Sequence, residues 1–478
     1  MLFNSPEFAI FFPIVTLLYF LTPHRLRWLT LLLASCVFYA VFIPVYLLVL
    51  FGMIIVDYVA GLVIERSTGP RRRAMLTVSL VANVGVLAVF KYYNFFVTEI
   101  GDAGARFGLT GSLPLLRMAL PIGLSFHTFQ AMAYTIEVYR GRWRAERHLG
   151  IYALYVMFYP QLVAGPIERP QHLLPQFRER HAFDPPRVAM GLKLMAWGLF
   201  KKVVIADRVA LIVNATYPRA HEVSGPAMMV ATFFFAWQIY CDFSGYSDLA
   251  IGAAEVMGFQ LTRNFRQPYL SRSTREFWTR WHISLSTWFR DYVYISLGGR
   301  RAGRGRWLAA LLLTFLLSGF WHGANWTFLA WGGLNGLFLI VGSLTSDWRA
   351  AVRHACRLDH WPWVEATFQR AITFTLISLS WIFFRSDRVG DALYTIGHLF
   401  TRTGLGVSEL GVTPGQFALS CAGVFALIAI DALEPSGDPR VWIADRPVYV
   451  RWACYYAIIV LTISVGVFTR SRFIYFQF

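Results

Sequence analysis

The chain has 478 residues, of which 56% are hydrophobic and only 15% are charged. Soluble domains carry about 25% charged residues, so this composition excludes an ordinary soluble protein and indicates many membrane-embedded helices. The net charge of +17 has two interpretations. Either basic loops accumulate on the cytoplasmic side of a membrane, or basic residues attract an anionic substrate there, and the positions of the arginines must decide.

The first part of the chain contains apolar runs at 8–21, 29–42, 45–64 and 74–90. No basic region precedes the first run, so we expect it to be a permanent helix and not a cleaved signal peptide. The loops at 24–27, 65–73 and 140–147 are basic. Because basic loops stay in the cytoplasm, this pattern predicts four crossings that start from an external N-terminus.

A short apolar run at 151–164 has flanks that both look cytoplasmic, so we interpret it as re-entrant or interfacial. Longer runs follow at 188–200 and 226–239, and then a segment at 261–306 with ten arginines and two acidic residues. Aromatic residues interleave with these arginines, as in a helix that lies at the membrane interface. The segment either anchors to lipid headgroups or forms an entrance for a phosphorylated donor, because guanidinium groups bind phosphate bidentately.

The apolar run at 308–320 covers only about 20 Å as a helix, less than the ~30 Å bilayer core. It ends in a Gly-rich stretch that contains His322 and Asn325, and the next run, 326–341, follows directly. Irregular backbone inside a membrane persists only where protein or a water-filled cavity surrounds it. We therefore expect His322 near the tip of a helical hairpin. Runs at 371–384, 417–430 and 453–468 bring the total to roughly 10 to 12 helical elements.

Two histidines, His322 and His282, fit acyl transfer to a hydroxyl, because an alcohol is a poor nucleophile until a base takes its proton. The alternatives are a core histidine bonded to a carbonyl at 322 and a packing residue at 282. Asp242 and Asp248 either pair with arginines, cap a turn or contact substrate. The five cysteines have no metal-binding or redox spacing, so we expect no metal site.

Motifs along the whole chain carry a resemblance to a known family. They lie at 1–5, 120–130, 161–167, 197–202, 242–252, 276–286, 318–326 and 473–478. With them the sequence resembles the membrane-bound O-acyltransferase (MBOAT) family, in particular its bacterial alginate O-acetyltransferase membrane-subunit type. The resemblance implies an all-α, polytopic protein of the bacterial inner membrane, with one domain over 1–478 and helices around a catalytic tunnel.

The resemblance also implies that His322 matches the catalytic histidine of the family and that His282 matches its second signature position. It implies a cytoplasmic acyl thioester such as acetyl-CoA as donor, with no bound cofactor. The acceptor would be an extracytoplasmic polysaccharide or a periplasmic or extracellular partner protein. We expect further substrate contacts from residues in or near the same motifs: Arg272, Arg275, Arg280, Trp321, Asn325 and Asp248.

The alternative function is a transporter or flippase that exports a polysaccharide precursor or an acyl carrier. The sequence has no inverted repeat of the kind that many transporters contain, and the short paired helices at His322 also argue against transport. The partners that the resemblance implies are the lipid bilayer, an acceptor polysaccharide and a partner protein, and no nucleic acid.

Overall fold

The computed structural model describes residues 1–108, 114–118, 121–163, 165–301, 303–401, 404, 406–434, 437–468 and 473–474. The motif residues at 120, 164 and 475–478 lie outside these ranges. Throughout the described ranges the regular secondary structure is helical, which confirms the all-α prediction. Five helical segments are long and apolar enough to cross a membrane: Tyr46–Arg66, Gly69–Arg106, Trp326–Leu344, Pro414–Leu433 and Val448–Val465.

The chain divides into two compact units. Unit 1 comprises Met1–Met195 and Ser247–Thr262, and unit 2 comprises Ala196–Tyr246 and Arg263–Phe478. The α-helices of the first part are α1 Pro6–Leu21, α2 Arg27–Ala40, α3 Tyr46–Arg66, α4 Gly69–Leu87, α5 Tyr93–Arg106, α6 Leu124–Tyr139, α7 Leu149–Met157, α8 Tyr159–Leu162 and α9 Pro170–Leu173. Those that follow are α10 Pro185–Phe200, α11 Asp207–Thr216, α12 Gly225–Met257, α13 Thr274–Arg280, α14 Ile283–Phe289, α15 Arg304–His322, α16 Trp326–Leu344, α17 Ser346–Ala355, α18 Pro362–Arg385, α19 Val389–His398, α20 Pro414–Leu433, α21 Pro439–Ala444 and α22 Val448–Val465.

A buried polar cluster connects α3, α4 and α6 in unit 1. The Ser79 hydroxyl donates to Asp57 Oδ1 at 2.6 Å, and Asn83 Nδ2 donates to both oxygens of Asp57 at 2.9 Å. The Ser79 hydroxyl also lies 3.0 Å from the hydroxyl of Thr135 on α6. Burial of a carboxylate is costly unless hydrogen bonds compensate it, so these donors are what make Asp57 tolerable among apolar helices.

The run predicted to be re-entrant or interfacial forms α7 and α8, which are too short to cross a bilayer and are buried in unit 1. A second buried carboxylate, Glu168, follows them. It contacts His172 Nδ1 at 2.7 Å and accepts hydrogen bonds from the backbone and the hydroxyl of Thr262. These contacts fasten the polar stretch after α8 to the segment that follows α12.

The hairpin predicted around His322 is present in unit 2, where α15 and α16 pack closely. A Cβ added at Gly319 would collide with the carbonyl oxygen of Phe328, and one at Gly332 would collide with that of Phe315. Glycine at these two positions therefore lets the backbones touch, as small residues do at membrane helix interfaces. The helix α15 has 19 residues, or about 28 Å, and is longer than the apolar run alone predicted.

The arginine-rich segment differs from its prediction. Its residue pattern is like that of a helix at the membrane interface, but the chain forms two helices, α13 and α14, with a break at His282, whose φ of 42° is left-handed. Its large side chains Phe277, Trp281 and Leu285 are buried. The break at His282 lets these side chains pack inside unit 2, and the choice between headgroup anchoring and a donor entrance stays open.

Candidate active site

His322 is the last residue of α15 and its side chain is 4% exposed. Three aromatic rings surround its imidazole, with centroid distances of 4.9 Å to Trp321, 5.1 Å to Trp331 and 5.4 Å to Phe384. All three meet it edge-to-face, at interplanar angles of 77°, 90° and 73°. The imidazole therefore lies in an apolar enclosure that keeps bulk water from it.

The turn that follows His322 depends on Gly323, because a Cβ at this position would collide with the ring of Phe328. Asn325 then begins α16. Its Oδ1 accepts from the backbone N–H of Thr327 at 3.0 Å, and its Nδ2 donates to the carbonyl of Asp387 at 2.9 Å. The structure thus places this predicted substrate contact as a helix cap that ties the hairpin tip to the segment after α18.

His282 lies in the same unit and is 1% exposed. Its ring centroid is 4.6 Å from that of Phe243 and 6.3 Å from that of Trp321. Burial lowers the pKa of His282 to about 3, so its imidazole is neutral at physiological pH. Trp321 therefore contacts both predicted catalytic histidines, and the structure brings these three residues together.

A cavity of about 330 Å³ lies beside this cluster in unit 2. One wall is a face of α15 that ends at Ser318, one helical turn before His322. Three arginines, Arg275, Arg290 and Arg300, also line the cavity. Its other lining residues are Trp278, Thr279, Leu285, Ser286, Phe289, Tyr294, Trp307, Leu311, Thr314, Phe315 and Leu339.

The predicted substrate-binding arginines differ in whether they line the cavity. Arg275 lines it and donates a hydrogen bond to Ser343 Oγ at 2.7 Å. Arg280 forms an ion pair with Glu276 at 2.6 Å, and Arg272 is exposed. Neither of these two is among the cavity's lining residues. Asp248 lies in the part of α12 that belongs to unit 1, whereas both histidines and the cavity belong to unit 2.

Sequence reasoning did not single out Arg290 and Arg300, because nothing distinguishes them from the other arginines of the segment. Asp242 is predicted from the sequence to pair with an arginine, cap a turn or contact substrate. It is buried and pairs with Lys202. Among the described residues, no group of three or more His, Cys, Asp or Glu side chains is placed to hold a metal ion. The polar side chains at the site are imidazoles, guanidinium groups and hydroxyls, and aromatic rings enclose them.

An all-helical membrane fold, with two buried histidines beside an arginine-lined cavity, defines a membrane-embedded transferase. Residues 147–384 match the model of the MBOAT, membrane-bound O-acyltransferase family. The chain belongs to this family and is an O-acyltransferase.

Similar proteins cover most of the chain. The probable alginate O-acetylase AlgI of Pseudomonas syringae pv. tomato is 39% identical over 415 residues, which are 86% of this chain and 77% of the relative. The peptidoglycan O-acetyltransferase of Helicobacter pylori is 34% identical over 451 residues, 87% of this chain and 83% of the relative. The teichoic acid D-alanyltransferase of Streptococcus thermophilus is 28% identical over 300 residues, 57% of this chain and 70% of the relative.

Proposed function

We propose that this protein transfers an acetyl group from a cytoplasmic thioester to a hydroxyl of an extracytoplasmic, alginate-like polysaccharide or of a partner protein. The whole chain acts as one catalytic domain in the bacterial inner membrane. The observation that carries the proposal is the cavity, which combines three arginines with a wall of α15 that ends one turn before His322. Relatives named for the O-acetylation of alginate and of peptidoglycan support a polysaccharide acceptor.

The donor is acetyl-CoA or an acetylated phosphopantetheine carrier. Arg275, Arg290 and Arg300 bind its phosphate groups, since guanidinium forms bidentate, charge-assisted hydrogen bonds with phosphate. Its uncharged arm extends along the apolar wall of α15 toward His322. From Trp307 to Ser318 this wall is about 16 Å long, at 1.5 Å per residue, and His322 follows one turn later.

His322 acts as the general base. As the acceptor oxygen attacks the thioester carbonyl, its proton moves to the imidazole, a C–O bond forms and the C–S bond breaks. The imidazolium then returns the proton to the departing thiolate, so the products are an ester and a free thiol. The surrounding rings of Trp321, Trp331 and Phe384 exclude water, which would otherwise hydrolyse the thioester.

The same rings support a small acyl group. Each is at most 4% exposed, and each lies within 5.4 Å of the imidazole, measured between centroids. Little room is left beside the reacting carbonyl, so a two-carbon acyl group fits the site better than a longer one.

The experiment that tests this function incubates purified protein in liposomes with acetyl-CoA labelled in the acetyl group and with alginate or a candidate partner protein. We expect labelled ester that depends on His322. The matched control is His360→Ala, because His360 is exposed and belongs to the same unit. Vectorial movement of a polysaccharide precursor without consumption of thioester would contradict the proposal and favour the transporter alternative.

A further inference from the structure

Asn264 is a fully buried residue that contacts three consecutive residues around the break between α13 and α14. Its Oδ1 accepts hydrogen bonds from the Ser284 backbone N–H at 3.2 Å and from the Ser284 hydroxyl at 2.7 Å. The same oxygen lies 3.3 Å from His282 Nδ1. The backbone carbonyl of Asn264 accepts from the N–H of Ile283 at 2.9 Å. No element of the catalytic proposal above uses these contacts.

The orientation of the Asn264 amide follows from one of these partners. A backbone N–H can only donate, so the side-chain atom that faces the Ser284 N–H must be the oxygen and not the NH₂ group. An amide oxygen can only accept. The contact with His282 is therefore a hydrogen bond only if Nδ1 carries the proton. In the neutral imidazole, Nε2 then carries the lone pair.

The surroundings of His282 hold its ring in one orientation. Phe243 meets the imidazole edge-to-face at 89°, and Phe265 lies 6.5 Å away on another side at 27°. The left-handed backbone at His282 is uncommon for a residue other than glycine, and the hydrogen bonds from Ser284 and Ile283 to Asn264 stabilise it. An exchange of the two ring nitrogens would require both the rings and this turn to move.

We infer that Asn264 is a positioning residue that holds His282 as its Nδ1–H tautomer, so that Nε2 meets the substrate as a hydrogen-bond acceptor. This inference rests on the proposed function. A neutral imidazole of this tautomer has no proton at Nε2 to give to the thioester carbonyl. His282 instead holds an N–H or O–H group of a substrate while His322 takes the hydroxyl proton.

The surroundings of His282 contain few groups that could alter its charge. The low pKa of His282 comes from burial, and the elements around it are α12, α13, α15 and the segment of Asn264. The charged or titratable groups nearest in sequence to its contacts are Asp242, which pairs with Lys202, Arg263 and Arg266, which flank Asn264 and Phe265, Arg280, which pairs with Glu276, and His322. The group that faces Nδ1 at hydrogen-bond distance is the amide oxygen of Asn264, and this amide determines the tautomer.

The direct test is ¹⁵N NMR of the wild-type protein labelled at histidine, in lipid at neutral pH. Protonated and unprotonated ring nitrogens resonate in separate regions. The difference from a His282→Gln sample isolates the signals of His282. We expect a protonated Nδ1 and an unprotonated Nε2. A protonated Nε2 in the wild type would overturn the inference, and this measurement requires no activity.

The kinetic test compares Asn264→Asp with Asn264→Ala and Ser284→Ala. Asn264→Asp keeps the oxygen and adds a negative charge, which raises the pKa of His282. As the pH falls, His282 then becomes protonated and Nε2 loses its lone pair, so kcat should gain an acidic limb that the wild type lacks. Asn264→Ala should lower kcat about 10-fold or more, as loss of an orienting partner does. Ser284→Ala keeps the tautomer and should keep the wild-type pH profile.

The outcomes separate the inference from the function it rests on. If the wild type transfers no acetyl group, the proposed function fails, whereas the NMR result still decides the tautomer. If the wild type is active and Asn264→Asp has the wild-type pH profile at full activity, the positioning role of Asn264 is contradicted while the function stands. Should Asn264→Ala fail to fold, Asn264→Asp and the NMR measurement still decide the question.

Discussion

Two buried carboxylates of unit 1 and two buried histidines of unit 2 have different neighbours. In unit 1, the carboxylates of Asp57 and Glu168 accept hydrogen bonds from hydroxyl, amide and backbone donors on several elements. In unit 2, the closest ring neighbours of His322 and His282 are aromatic side chains. A carboxylate that accepts several hydrogen bonds joins helices. Aromatic rings, in contrast, hold an imidazole in place without forming an ion pair with it. The first arrangement suits a structural role and the second suits chemistry.

The largest effect that this comparison predicts is at His322. Removal of a positioned general base typically costs about 10² to 10⁴ in rate. We expect His322→Ala to insert and fold normally but to lose nearly all transfer, and His322→Asn to do the same because it also cannot take the proton. The measurement is ester formed per monodisperse enzyme. Wild-type turnover in His322→Ala would contradict the role of His322 as general base, and with it the chemical role given to the buried histidines of unit 2.

The converse effect is expected at Asp57. Asp57→Ala removes the carboxylate that Ser79 and Asn83 share as acceptor, and each buried donor left unsatisfied costs about 1–3 kcal/mol. The thermal transition and the yield of folded protein should therefore fall, while turnover per folded molecule stays near the wild-type value. Asp57→Asn keeps one acceptor oxygen, so its thermal transition should lie between that of the wild type and that of Asp57→Ala. A loss of turnover with unchanged stability would show that the polar cluster of unit 1 is not merely structural.

A smaller effect is expected from the aromatic enclosure. One methylene in an apolar pocket is worth about 1–3 kcal/mol, or roughly 10- to 200-fold in selectivity. Trp331→Leu should therefore raise transfer of propionyl relative to acetyl by about 10-fold, as measured with both acyl-CoA donors in competition. Trp348→Leu is the control, because Trp348 is exposed in the same unit. An unchanged ratio would mean that another wall sets the acyl size.

The smallest effect is expected at the cavity arginines. Arg275→Gln with Arg290→Gln should raise the KM for acetyl-CoA by up to about 10-fold with little change in kcat, and the effect should shrink as salt is added. Arg272→Gln, outside the cavity, should change KM less. An equal effect of all three substitutions, independent of salt, would favour headgroup anchoring of the whole segment.

The helices and the hairpin could be predicted from the sequence because their signals are local. A long apolar run predicts a helix, and the glycines around His322 indicate the close approach and the turn. The break at His282 could not be predicted in this way. Its alternating arginines and aromatics are typical of an interfacial helix, and the reversal depends on Asn264, which lies 18 residues earlier.

The sequence could not show which of the ten arginines line the cavity, since only packing places Arg290 and Arg300 there and Arg272 outside it. At Asn325, a polar residue directly before an apolar run was itself a signal for a helix cap. In the sequence, Asn325 is close to His322, and for this reason a substrate contact is predicted for it instead.

Because glycines hold α15 and α16 in contact, the space around His322 cannot become smaller, but it can easily become larger. His322 ends α15, and Trp331 precedes Gly332 on α16, so the ring and its facing wall belong to two backbones already in contact. Gly319 and Gly332 have no side chain, so no substitution at these positions can bring the two helices closer or make this space smaller. Any larger residue would instead push the helices apart and admit water, so Gly319→Ala should increase futile hydrolysis of the thioester before it abolishes folding.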